Sequence, residues 1–173
     1  KYYNLKMKKN IFLSVSLLFF VLSCGYSAMY SIDKNSNFKI GSIKIEGDRE
    51  INNYVNADLK RYTKLNNDKN YSIEINSIFE KNTLAKDKQG NTTDIELIVN
   101  TKIKIIDNKK LINEDSESTA KEYFFLITEK TNIKKSSDKF DEIDYEMITK
   151  RNFAKSISEK IIFNLVKISR SEW

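Results

Sequence analysis

Between Ile95 and Ile105 the apolar side chains fall on alternate positions, at Ile95, Leu97, Val99, Ile103 and Ile105. A repeat of two puts them all on one face of an extended strand, and that face must be buried against another layer. The chain is thereby committed to a sheet covered on one side. Two shorter alternations support this. Phe38, Ile40, Ile43 and Ile45 alternate on either side of Gly41-Ser42 with the phase switching there, which predicts a strand with a bulge at Gly41. Tyr71, Ile73 and Ile75, followed by Ser77-Ile78-Phe79, predict a second strand.

The covering layer is read from a different period. Ile51, Val55, Leu59, Tyr62 and Leu65 recur at threes and fours, which predicts a helix over 49–65. Gly47-Asp48 precedes it, with Asp48 as its N-cap, and Asn66-Asn67-Asp68 ends it. Turns are expected over 86–91 and at Asp107-Asn108-Lys109-Lys110, with the chain returning through Leu111 to about Ile127. Residues 71–127 thus read as a three-stranded meander. A long closing helix carries Ile143, Met147, Ala154, Ile157, Ile161, Leu165 and Ile168 as a stripe, widened by Ile148, Phe153 and Ile162. The expected fold is α+β, a two-layer sandwich in the order β-α-β-β-β-α. A four-stranded, mainly antiparallel sheet is packed by two helices in a single domain over 38–173.

Composition excludes more than it suggests. The chain has no His, which removes the commonest general base and metal ligand, and its single Cys rules out an internal disulfide or a Cys-rich metal site. Serines have no His to activate them, so nucleophilic catalysis has no support, and no enzyme activity or cofactor is expected. The formal net charge of +6 would ordinarily point to nucleic acid. Lys1, Lys6, Lys8 and Lys9 account for most of it, and beyond them 26 basic residues face 24 acidic ones. No nucleic-acid partner is expected.

Those four lysines belong to a leader. Residues 8–24 read KKNIFLSVSLLFFVLSC, a basic start and an apolar run from Ile11 to Leu22. The run is shorter than the roughly 20 residues that a membrane-spanning helix needs and fits a secretory signal peptide over 1–23, with Met7 as the expected true start. It ends at Val21-Leu22-Ser23-Cys24, which resembles the lipobox of bacterial lipoproteins, although Leu22 stands where a smaller residue is usual. The resemblance implies cleavage before Cys24 and a covalent lipid on its thiol and amine, such as palmitate, with residues 24–37 as anchor and tether. Several acyl chains hold a protein to a membrane stably where one does not. Gly25 in place of Asp implies export to the outer membrane.

The whole pattern resembles the LptE family, the lipoproteins of lipopolysaccharide assembly. The resemblance rests on Cys24-Gly25-Tyr26, on the β-α-β-β-β-α order, on the turn into the long strand Gly90-Asn91-Thr92-Thr93-Asp94-Ile95-Glu96-Leu97, and on Met147-Ile148-Thr149-Lys150 with Ala154 in the closing helix. It implies a non-enzymatic outer-membrane lipoprotein that partners and plugs the LptD β-barrel and assists lipopolysaccharide assembly. A plug in a polar lumen should have a mixed-charge surface, which this body has. In that family, basic residues before the turn glycine and ahead of the last helix are associated with lipopolysaccharide. The matching positions here are Lys86 and Lys88, and Lys134, Lys135 and Lys139. The alternative is an auxiliary outer-membrane lipoprotein of an ABC-type lipid-transport system, with an apolar groove between sheet and helices. Glu114, Asp115 and Glu117 alternate faces and do not form a metal site. Asp141, Glu142, Asp144 and Glu146 suit the first turns of a helix.

Overall fold

The elements follow in the predicted order: β1 (Lys39–Gly47), α1 (Arg49–Thr63), β2 (Asn70–Lys86), β3 (Thr92–Asp107), β4 (Glu122–Lys134) and α2 (Lys139–Arg170). This is a computed structural model, and it describes residues 37–108 and 120–171. The leader, Cys24, the tether and the acidic group Glu114, Asp115 and Glu117 lie outside those residues. The strands form one four-stranded sheet in the order β1-β2-β3-β4. β1 runs parallel to β2, and β2, β3 and β4 are antiparallel neighbours. The single parallel pair is the one joined through a helix, since parallel strands need a crossover where antiparallel ones need only a turn. The result is the expected two-layer α+β arrangement.

Two glycines make β1 possible. At Gly41 the pairing steps from Ile40 opposite Tyr71 to Ser42 opposite Ser72, so Phe38 and Ile40 and then Ile43 and Ile45 all turn to the core. Gly47 has φ +98°, and a Cβ there would stand 2.0 Å from the carbonyl oxygen of Ser77. Only glycine suits such a corner. Asp48 follows as the N-cap of α1, its Oδ1 accepting the Ile51 N–H at 3.0 Å.

The core lies between the inner face of the sheet and the two helices. Ile51, Val55 and Leu59 of α1 and Ala154, Ile157 and Ile161 of α2 are fully buried. They meet Tyr71, Ile73 and Ile75 of β2 and Leu97, Val99 and Ile105 of β3, none more than 2% exposed. Phe38 stacks on Tyr62 at 5.7 Å between ring centres and meets Tyr71 edge-on at 6.4 Å. The polar side chains inside this layer include Ser77 and Thr101, paired across β2 and β3 at 3.1 Å.

Three boundaries differ from the sequence expectation. α1 ends at Thr63, and Leu65 packs on the core from beyond the helix. β4 continues past Ile127 to Lys134, because Thr128 to Lys134 stay in register with β3 although their apolar signal is weak. The closing stripe is not all core. Ile143, Met147 and Ile148 are 54%, 46% and 55% exposed. Along the 32 residues of α2 the buried positions begin only at Thr149 and Lys150. In its second half β2 turns Lys81 and Thr83 to the inner side in place of isoleucine.

Candidate functional site

The end of the sheet where β2 turns into β3 is built from a carboxylate that folds its own loop. Asp87 Oδ1 accepts the backbone N–H groups of Gln89 at 2.9 Å and Asn91 at 2.8 Å, and Oδ2 accepts the Asn91 amide at 3.0 Å. The Asn91 side-chain bond, with the backbone donors, holds the Asp87 carboxyl below its ordinary pKa. Gly90 closes the turn at φ +87°. Lys88 stands in this turn and Lys86 is the last residue of β2, opposite Thr92.

The register of β4 brings the second lysine group to the same end. Lys134 is opposite Asp94, and the Lys135 N–H donates to the Thr93 carbonyl at 2.8 Å. Lys134, Lys135, Ser136 and Ser137 line a shallow depression of about 520 Å³ with Thr92 and Thr93. Asp138 then caps α2 by accepting the Phe140 N–H at 2.8 Å, and Lys139 opens the helix. All five predicted lysines are exposed. Lys86 and Lys88 reach the end of the sheet through β2, and Lys134, Lys135 and Lys139 through β4 and the start of α2. Asp87, Asp94 and Asp138 share the surface, so the patch is basic without being purely so. Phe140, 81% exposed, with Ile143 and Met147 in the same stripe, sets an apolar strip beside it. Cations next to apolar surface suit an amphiphile with an anionic head.

Two features escaped the sequence reading. Lys150 is 8% exposed, its Nζ 2.7 Å from Glu50, 3.3 Å from Asp48 and 3.4 Å from Glu146, and 4.5 Å above the Phe79 ring. Burial pulls its pKa down, but the bond to Glu50 and the neighbouring Asp48 more than offset this and leave it raised. Lys81 pairs with Glu146 as well, so the cluster ties α1, β2 and α2 together. The sequence signal that could have found it is its place in the closing stripe, three residues after Met147 and four before Ala154. The second feature is an open trough of about 590 Å³ on the face of the sheet turned away from the helices, lined by Lys44, Glu74, Lys102, Lys104, Phe124 and Leu126. Among the described residues no acidic or cysteine cluster is arranged to hold a metal, and no helix is long and apolar enough to cross a membrane.

The described residues thus define a two-layer α+β domain with a basic end. No protein-family model and no curated protein matches the sequence. Solved structures do match in fold. The rare lipoprotein B of Shewanella oneidensis is 15% identical, aligning over 73% of this chain and 98% of its own, with a TM-score of 0.50. A putative lipoprotein of Caulobacter crescentus is 12% identical, aligning over 77% of this chain and 92% of its own, again at 0.50. At such identities the likeness is one of fold.

Proposed function

We propose that this protein is a non-enzymatic outer-membrane lipoprotein of the LptE kind. In this reading Cys24 carries the lipid anchor, and the domain partners and plugs an LptD-type β-barrel and helps lipopolysaccharide reach the outer leaflet. The observation that carries the reading is the convergence of Lys86, Lys88, Lys134, Lys135 and Lys139 at one end of the sheet, beside the apolar strip of α2. The fold shared with rare lipoprotein B supports it, as does the lipobox resemblance at Val21-Leu22-Ser23-Cys24. The competing auxiliary of a lipid transporter calls for an apolar groove between sheet and helices. In the described residues that space is filled by side chains such as Ile73, Leu97, Ile157 and Leu165, each at most 1% exposed.

The test is affinity purification of the tagged, lipidated protein from detergent-solubilised outer membranes, with mass spectrometry of what accompanies it. A stoichiometric large β-barrel that survives salt washing is the expected result. Recovery of the protein alone, or with inner-membrane transporter subunits, sinks the plug reading.

A further inference from the structure

The end of the sheet opposite the β2–β3 turn gathers the C-termini of both helices. α1 runs from the end of β1 back to the start of β2, and α2 from the end of β4 back toward its start. Hydrogen bonds lace that end together. The Lys39 N–H donates to the Lys69 carbonyl at 2.8 Å, the Asp107 N–H to the Lys121 carbonyl at 3.0 Å, and Lys69 Nζ to the Ser169 carbonyl in the last turn of α2. Lys60, Arg61, Lys64, Lys121, Lys167 and Arg170 are all exposed there. Asp58 stands 3.8 Å from Arg61 and Glu122 2.7 Å from Lys104, which leaves Asp68 as the remaining exposed carboxylate on these described turns. The stretches outside the described residues that leave from this end, 109–119 and 172–173, carry two more acidic than basic side chains and do not reverse the balance. A helix dipole favours a cation at its own C-terminus, and the topology sums two such ends into one cationic surface.

We propose that this end is a docking surface for an anionic phospholipid bilayer, the one that holds the anchor at Cys24. The inference rests on the lipoprotein reading above and goes beyond it, since it sets which end of the domain faces the membrane. The occupant is decided by where the chain outside the described residues rejoins them. Asn37 opens the described chain at the start of β1, 13 residues after Cys24. Such a stretch spans at most about 45 Å, so a bilayer holding Cys24 lies within that reach of the cationic end. The β2–β3 turn lies about 50 Å farther along the sheet, the length of the 17 residues of β2. The membrane is therefore held next to the C-terminal cations of α1 and α2. Anionic lipid attracts a cluster of lysine and arginine side chains with an energy that grows with each one near its surface. A tethered surface also meets its membrane at high effective concentration, so contacts that are weak one by one suffice. The β2–β3 end is then held off the bilayer.

The orientation is tested on the full chain, its lipid on Cys24 verified by mass, in vesicles that carry a lipid-linked energy acceptor. Acylation takes up the only thiol, so an introduced cysteine is labelled uniquely. A donor fluorophore is placed at Asn66→Cys beside the cationic end or at Gln89→Cys in the β2–β3 turn, both exposed positions. In vesicles of phosphatidylcholine mixed with phosphatidylglycerol, the donor at Asn66→Cys should be quenched about threefold more than that at Gln89→Cys. That ratio should fall in pure phosphatidylcholine, in high salt, and in a chain that also carries Lys60→Gln, Lys64→Gln and Lys167→Gln. The three added substitutions are at exposed positions and should leave the thermal midpoint nearly unchanged. Equal quenching at the two positions in the anionic vesicles, or more at Gln89→Cys, overturns the proposal. So does a ratio that neither salt nor pure phosphatidylcholine lowers, since the tether alone would then set the orientation. Those two comparisons need no change to the cationic end, so a destabilised triple variant does not decide the matter. A chain without lipid on Cys24 overturns the lipoprotein reading and this inference with it, whereas a lipidated chain with equal quenching overturns the inference alone.

Discussion

At Lys150 a side chain that is ordinarily solvated is held at 8% exposure by Asp48, Glu50, Glu146 and the ring of Phe79. Removing the cation leaves Asp48, mostly withdrawn from water, without that counter-charge, and leaves Glu146 with Lys81 alone. Lys150→Met should therefore lower stability by about 2–3 kcal/mol, less than for a fully buried pair because Glu50 stays largely in water. Chemical denaturation at neutral pH measures this. The pH dependence has a defined sign. A lysine whose pKa is raised by folding stabilises fully below its unfolded value of about 10.4 and loses that contribution as the pH rises through its folded value. The gap between parent and Lys150→Met should thus be constant from pH 7 to 9 and shrink only in stronger alkali.

Among the elements, the same strand pairing yields opposite consequences on the two faces of the sheet. Leu97 of β3 is 1% exposed under the helices, whereas Phe124 of β4 looks out at 70%. Leu97→Ala should cost about 2–4 kcal/mol through lost burial and a residual cavity. Phe124→Ala should change the unfolding free energy of the monomer by less than about 0.5 kcal/mol. Denaturation of the two variants under one condition decides the point, and comparable losses would mean that the outer face is covered in the isolated chain. Helix α2 shows the limit of reading a stripe as core. Ile143 and Met147 continue the phase of Ile157 and Ile161, yet they are about half exposed. Periodicity reports which side of a helix is apolar, not how far the opposing layer extends.

For the whole molecule, the distribution of charge matters more than its net value. The basic end is assembled from the β2–β3 turn and from the junction of β4 with α2. Substituting both Lys134 and Lys135 by Glu should weaken binding of lipopolysaccharide by tenfold or more while leaving the unfolding midpoint within a degree or two, since both side chains are exposed. Binding to immobilised lipopolysaccharide at two salt concentrations tests this. An unchanged affinity, or one insensitive to salt in the parent, removes the basic end from the proposed function.

The sequence by itself determined the element order, the bulge at Gly41, the cap at Asp48 and the choice of a one-sided sheet, because each is set by local periodicity or by a residue's own backbone preference. It singled out the five lysines only through a family resemblance. Their meeting depends on the register of β4 against β3, which carries Lys134 to Asp94 and Lys135 to Thr93. Tertiary structure alone decided that Lys150 is buried while Met147, three positions earlier, is exposed. Those outcomes depend on where one layer stops over another, and a linear pattern of apolar and polar residues does not contain that distance.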